Sequence, residues 1–335
     1  MTLQANGVPA VLPALATFGI GSLPHTDGDA ALACAFCLDI PTLPQLPMRD
    51  PQEFMLAAAL RGFPGARSDG GGMVFVSPER KAKEEHTAGR LAPSHALTDD
   101  FFAQASARQA HFVKLQFAGP CTLQWLVSLE DGQGLWEDAP LAQAAVEFVR
   151  DRAVEGTLRA RASGAVPLVF FDEPGLYALD PHEPSHRARL AALALVVGDV
   201  QKVGAMVGLH CCADTAWKAL METGADVIAF DARLSLSQVL SEPATFEFLT
   251  RGGRLAVGIV PTDAGPDFSS RRAAKEALDV IHAQVPGHVS LKALLSSLCL
   301  TPACGLAMQR VDDAERVLAY VREVQVYFRE HLAQL

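Results

Sequence analysis

Ala205-Met206-Val207-Gly208-Leu209-His210-Cys211-Cys212-Ala213-Asp214 is an apolar run that ends in an imidazole, two thiols and a carboxylate. Apolar residues in such a run read as a buried strand, and the Ala-Asp-Thr that follows reads as a loop entering a helix. Helical patterns flank the run, at residues 185–203 before it and 215–223 after it. Strands that alternate with helices form βαβ units, whose strands lie parallel in one sheet. Side chains alternate along an extended backbone, so His210 and Cys212 face one side and Cys211 the other. His210 and Cys212 can therefore reach one metal ion together, but two residues do not complete a metal site.

The same alternation extends in both directions. Strands are predicted at residues 16–24, 39–47, 112–117 and 166–171, and after the central run at 226–230, 255–260 and 296–300. Helices are predicted at 27–38, 51–61, 101–110, 141–163, 236–250, 270–283 and 312–331. About eight strand–helix units make a (β/α)8 TIM barrel. No linker or shift of composition divides the chain, so residues 1–335 are expected to be a single barrel with an excursion near residues 68–98. The Lys/Glu-rich part of that excursion, residues 79–90, fits either a solvated surface or a lid over the barrel mouth. The Gly-rich residues 68–72 carry neither a GK[ST] nor a GxGxxG spacing and read as a plain loop.

Composition narrows the class. The chain has 335 residues, half of them hydrophobic and a fifth charged, as expected of a globular enzyme with a large core. A formal net charge of -10 without Lys/Arg runs argues against a nucleic-acid partner or an anionic membrane surface. Residues 1–16 lack the positive start of a secretory signal, and the longest apolar stretch, residues 190–197, is too short to span a bilayer. The seven cysteines are odd in number and scattered. A cytoplasmic protein with reduced thiols is expected, where a cysteine is a ligand, a nucleophile or core filling. Cys34 and Cys37 form a CxxC within a predicted helix, have no second pair and read as core.

In a barrel of this kind the chemistry lies at the carboxyl ends of the strands. Those positions hold Ser22, His25, Thr122, Asp172, Glu173, His210, Cys211, Cys212, Asp231, Thr262, Asp263 and Cys304. Zinc binds thiolates, imidazoles and carboxylates, and a catalytic zinc keeps one position open. His210, Cys212 and Cys304 would supply a nitrogen and two sulfurs, leaving room for a sulfur substrate whose thiol the metal would acidify. The plainer readings stand beside this one. A His-Cys-Cys in a strand can be core, Asp172-Glu173-Pro174 can be a salt-bridged barrel rim, and His25 can be a turn residue rather than a ligand contact. Cys121 and Cys299 read as packing residues.

Taken together, these motifs resemble the catalytic C-terminal barrel of cobalamin-independent methionine synthase and the superfamily joining it to uroporphyrinogen decarboxylase and corrinoid-dependent methyltransferases. Ile20-Gly21-Ser22-Leu23-Pro24 looks like that family's Ile-Gly-Ser-Phe-Pro turn. Gly119-Pro120-Cys121-Thr122-Leu123, followed by Trp125, looks like its Gly-Pro-Val-Thr-Ile, and Asp172-Glu173-Pro174-Gly175-Leu176 is similar to its Asp-Glu-Pro-Ala-Leu. The family's His-x-Cys falls on His210 and Cys212, its Cys-Gly-Leu on Cys304-Gly305-Leu306, and its Ala-Asp-Val-Ile on Ala225 to Ile228. The resemblance implies methionine biosynthesis: Zn2+ bound by His210, Cys212, Cys304 and Asp231, with Asp231 standing where the family has Glu. It implies a homocysteine site in which Asp172 takes the amino group and Gly21, Ser22 and Thr122 take part in binding. Asp263 stands near the family's proton-handling His and would be the catalytic residue. The family's second, N-terminal barrel has no counterpart here, so the expected methyl donor is either methyltetrahydrofolate or a methylated corrinoid protein. The alternatives are a uroporphyrinogen-decarboxylase-like enzyme, disfavoured by the low Arg content near the N-terminus, and a non-catalytic barrel that binds a thiol or corrinoid.

Overall fold

The computed structural model describes residues 11–78 and 95–335. Among these the strands are β1 (Ala16–Thr17), β2 (Ala66–Ser68), β3 (Val74–Val76), β4 (Phe112–Ala118), β5 (Ser128–Leu129), β6 (Val166–Asp172), β7 (Met206–His210), β8 (Val227–Asp231), β9 (Arg254–Val260) and β10 (Leu298–Pro302). Seven of them form one parallel sheet in the order β1-β10-β9-β8-β7-β6-β4. Helices on the outer face connect successive strands, as parallel pairing demands. The expected α/β alternation is therefore present.

The expected eighth strand does not form a ladder. Residues 40–45 touch both edges of the sheet through isolated bridges: Phe18 with Ile40 and Ser22 with Gln45 on one side, Thr42 with Lys114 on the other. Pro41 and Pro44 lack the amide hydrogen that a continuous ladder needs at every other residue. The sheet is thus a curled, seven-stranded half-barrel whose edges are linked by an irregular segment. The predicted excursion is in part a second small sheet, β2-β3-β5. Residues 79–94 of it lie outside the described residues, and with them the lid reading and His86.

Alternation along the strands divides the core in two. Val169 and Phe171 of β6, with Val207 and Leu209 of β7, face the outer helices and join the large core between sheet and helices. Leu168 and Phe170 of β6, Met206 of β7, Val227 and Ala229 of β8, and Cys299 of β10 point inward and form a compact apolar floor. Phe18 and Phe170 pack there at 5.5 Å between ring centres. Each such ring, taken from water, contributes about 2–3 kcal/mol. The floor fills the lower interior and leaves open the space inside the carboxyl ends of the strands.

Helix boundaries follow the local sequence. The predicted helix over 236–250 is two helices, Ala232–Ser241 and Pro243–Thr250, because Pro243 cannot continue the first and instead opens the second. The helix Ala139–Ala162 begins where Asp138 accepts a hydrogen bond from the Leu141 amide at 2.9 Å. Its Arg152 is buried and donates to the carbonyls of Ala58, Ala59 and Arg61, closing the end of the short helix Met55–Ala59. That contact holds Phe54 and Met55 at the edge of the barrel mouth. No helix among the described residues is long and apolar enough to cross a membrane.

Candidate metal centre

The site forms at the top of β7. Leu209 and Cys211 point into the outer core, and Met206 belongs to the inner floor, so His210 and Cys212 are left facing the barrel axis. The strand ends are fastened together: the Glu173 amide donates to the His210 carbonyl at 2.7 Å and the Cys211 amide to the Ala229 carbonyl at 3.1 Å. Asp172 stands directly across from His210 in the β6–β7 pairing. From the far side of the sheet, β10 delivers Cys304 just beyond its last residue.

His210, Cys212 and Cys304 converge with all ligand atoms within 4.8 Å of one another. A tetrahedral zinc ion would place such nitrogen and sulfur ligands about 3.6–3.8 Å apart, a spacing that fits inside this cluster. A second observation supports a metal. His210 is buried and neither ring nitrogen makes a regular hydrogen bond, with the Cys212 thiol lying against the ring; such an imidazole is costly unless something else accepts its lone pair. The Cys304 thiol first, and the His210 ring second, hold the Cys212 thiol down to about 4. Cys304 is pushed up by its hydrogen bond to Cys212 and by burial. Cys211, by contrast, is raised to about 12 by burial and stays a packing thiol.

These three residues wall a cavity of about 200 Å³ together with Ile20, Ser22, Asp172 and Pro174. The turn before Ser22 requires glycine: Gly21 has φ +144°, and a Cβ there would lie 2.3 Å from the Gln116 amide carbon. Gly305 permits another close approach, since its Cβ would fall 2.2 Å from Ser22 Oγ. Asp172 Oδ1 is buried without a partner. Burial raises its carboxyl group, and the charges of Lys114 and His210 oppose that rise. The cavity thus sets two thiols and an imidazole beside a buried carboxyl group with one unpartnered oxygen.

The other residues expected at the site lie elsewhere. Asp231 stands outside the three-residue group: its carboxylate caps the following helix, accepting from the Arg233 amide at 2.8 Å, and faces the Arg233 guanidinium at 3.9 Å. Asp263 is exposed on the rim, 3.9 Å from Arg233. Thr122 is buried away from the cavity. Its amide donates to Glu173 at 2.7 Å and its hydroxyl accepts from the Gly175 amide at 3.1 Å. His25 is buried and bonded to Glu315 at 3.2 Å.

Sequence reading missed Pro47, Glu53, Phe54, Met55 and Met308, which complete the cavity wall. The spacing of Pro41, Pro44 and Pro47 was the available hint that this stretch runs irregularly past the barrel mouth.

No protein-family model matches the chain, and no curated protein matches it. Solved structures do. A Listeria monocytogenes protein provisionally described as a vitamin-B12-independent methionine synthase superimposes with a TM-score of 0.59 at 15% identity, over 95% of this chain and 98% of its own. A methyltransferase from Methanosarcina mazei superimposes with a TM-score of 0.51 at 14% identity, over 95% of each chain. At these identities the likeness establishes a shared fold.

Proposed function

We propose that this chain is a zinc-dependent methyltransferase that moves a methyl group to the sulfur of homocysteine or a related amino-acid thiol. The observation that carries the reading is the convergence of His210, Cys212 and Cys304 on the wall of a cavity that also holds the buried Asp172. The names of the two structural neighbours, a methionine synthase and a methyltransferase, point the same way.

Zinc, when bound by the three residues, would supply the Lewis acidity that keeps a thiol ionised at neutral pH. The chain's own residues do the rest. Asp172 pairs with the substrate ammonium, and the Gly21–Ser22 turn receives its carboxylate. Ile20, Pro47, Phe54 and Met308 keep water from the sulfur and the incoming methyl group. The ionised sulfur then attacks the methyl carbon in line; the S–C bond forms as the bond from carbon to the donor breaks with its electron pair. The thiol proton is released to solvent. With Asp231 engaged as a helix cap, a metal held by the three residues would remain open to the substrate thiol. The donor is methyltetrahydrofolate or a methylated corrinoid.

Elemental analysis of the purified chain is expected to give about one zinc, lost in the double variant His210→Ala, Cys304→Ser. Zinc-loaded protein with homocysteine is expected to form methionine from methyltetrahydrofolate or methylcobalamin. Undiminished zinc in the variant would sink the metal assignment, and no methionine with either donor would sink the transfer.

A further inference from the structure

We infer that Lys114 is the positioning residue of the carboxylate subsite: it orders the Gly21–Ser22 turn and so makes the site selective for an α-amino-acid thiol over a simple amine thiol. The inference rests on the proposed reading of the cavity and names the residue that would set its substrate class.

Lys114 lies on β4 and points into the barrel, fully buried just above the apolar floor. Its Nζ donates to the Ile20 carbonyl at 2.6 Å and to Gln116 Oε1 at 3.4 Å, and it rides 4.7 Å from the centre of the Phe170 ring. It forms no ion pair among the described residues. Burial pulls it down to about 8, so it is still largely charged at neutral pH. A methionine or leucine here would extend the floor without the desolvation cost of a cation. A buried charge kept without a bonded counter-charge marks a functional position.

What the charge touches indicates its task. Ile20 and Ser22 line the cavity, and the Ile20 carbonyl belongs to the peptide whose amide is that of Gly21. Pulling on that carbonyl polarises the peptide and strengthens its amide as a donor. The amides of Gly21 and Ser22 donate to no acceptor among the described residues. Gln116 completes the clamp: its side chain fills the space beside Gly21 and donates to the Leu43 carbonyl at 2.7 Å. The Lys114 ammonium, bonded to the Ile20 carbonyl, also puts a positive charge behind this turn, opposite in sign to Asp172. A zwitterionic substrate would thus meet anion-binding amides over Lys114 and an anion at Asp172.

Calorimetric titration of the zinc-loaded full chain with L-homocysteine and with 3-aminopropane-1-thiol, the same thiol without its carboxylate, tests the inference. The wild-type chain is expected to prefer homocysteine. Lys114→Met is expected to lose roughly 10- to 100-fold of that preference, the span of one charge-assisted hydrogen bond. Its zinc content should stay at the wild-type value, and the ratio of the two affinities is the readout, because the loss of the Lys114 charge beside Asp172 alters the amine contact of both thiols alike. If Lys114→Met does not fold, Lys114→Gln carries the same test. A variant that keeps the wild-type ratio, or a wild-type chain that binds both thiols alike, overturns the inference alone. A wild-type chain that binds neither overturns the parent reading and the inference with it.

Discussion

Glu173 gives the sharpest quantitative test of the structure around the site. It is fully buried, and its two oxygens accept the amides of Cys121 at 3.0 Å and Thr122 at 2.7 Å, at the start of the helix Pro120–Leu126. Two effects compete there. Burial raises the carboxyl group, and the amide bonds lower it; burial wins, and the group rises from 4.5 to about 7. The folded chain then holds this proton where the unfolded chain has released it. Stability from this group is highest at or below pH 4.5 and is lost as the pH rises towards 7. At 1.36 kcal/mol for each pH unit, the loss is about 3 kcal/mol. Glu173→Gln carries no titrating group and also exchanges one accepting oxygen for a donor facing an amide, a constant cost of about 1–2 kcal/mol. Urea titrations of both proteins between pH 4.5 and 8 isolate the effect, because the other titrating groups are common to the two. The wild-type advantage should shrink by about 3 kcal/mol across that range. A difference that stays flat, or grows with pH, would mean that the amides outweigh burial and that the reasoning is wrong.

Cys212→Ser should abolish stoichiometric zinc, whereas Cys211→Ser should leave zinc in place; metal analysis of the two purified variants separates them. Asp231→Ala should lower stability by about 1 kcal/mol through the lost helix cap, and zinc content should not change. Gly21→Ala should cost more than about 2 kcal/mol in thermal or denaturant melts, because φ is +144° and the new methyl group would strike Gln116. Arg152→Met leaves the Ala58, Ala59 and Arg61 carbonyls without their donor, at about 3 kcal/mol. It should also weaken thiol binding in the titration, since Phe54 and Met55 lose their support.

Much of this arrangement could be read from period-two patterning alone. The separation of Cys212 from Cys211 needed only the alternation of an extended chain, and just past the end of β7 the structure buries Cys211 in the outer core and sets Cys212 on the cavity wall. Cys304 was found by its position after a predicted strand. The structure departs from the pattern where a local competitor overrides it. Asp231 sits at the right strand end, but the start of the next helix two residues on claims its carboxylate. Pro243 split a helix whose apolar spacing looked continuous. Lys114 was read only as a strand residue, because a single cation in an apolar run reveals its burial only when the strands around it are assembled.

The segment at residues 40–45 has a consequence for how the molecule breathes. Strands joined by full ladders open together, whereas this segment, buried throughout, is held by discrete backbone bonds to both edges of the sheet, such as Gln45 to Gly21 and Lys114 to Pro41. The amides of Ile40 and Leu43, bonded to Thr17 and Lys114, should therefore exchange with deuterium well before those of β6 and β7. Gln45 and Pro47 of the same stretch border the cavity, so one wall of it is set by an irregular segment and not by a strand.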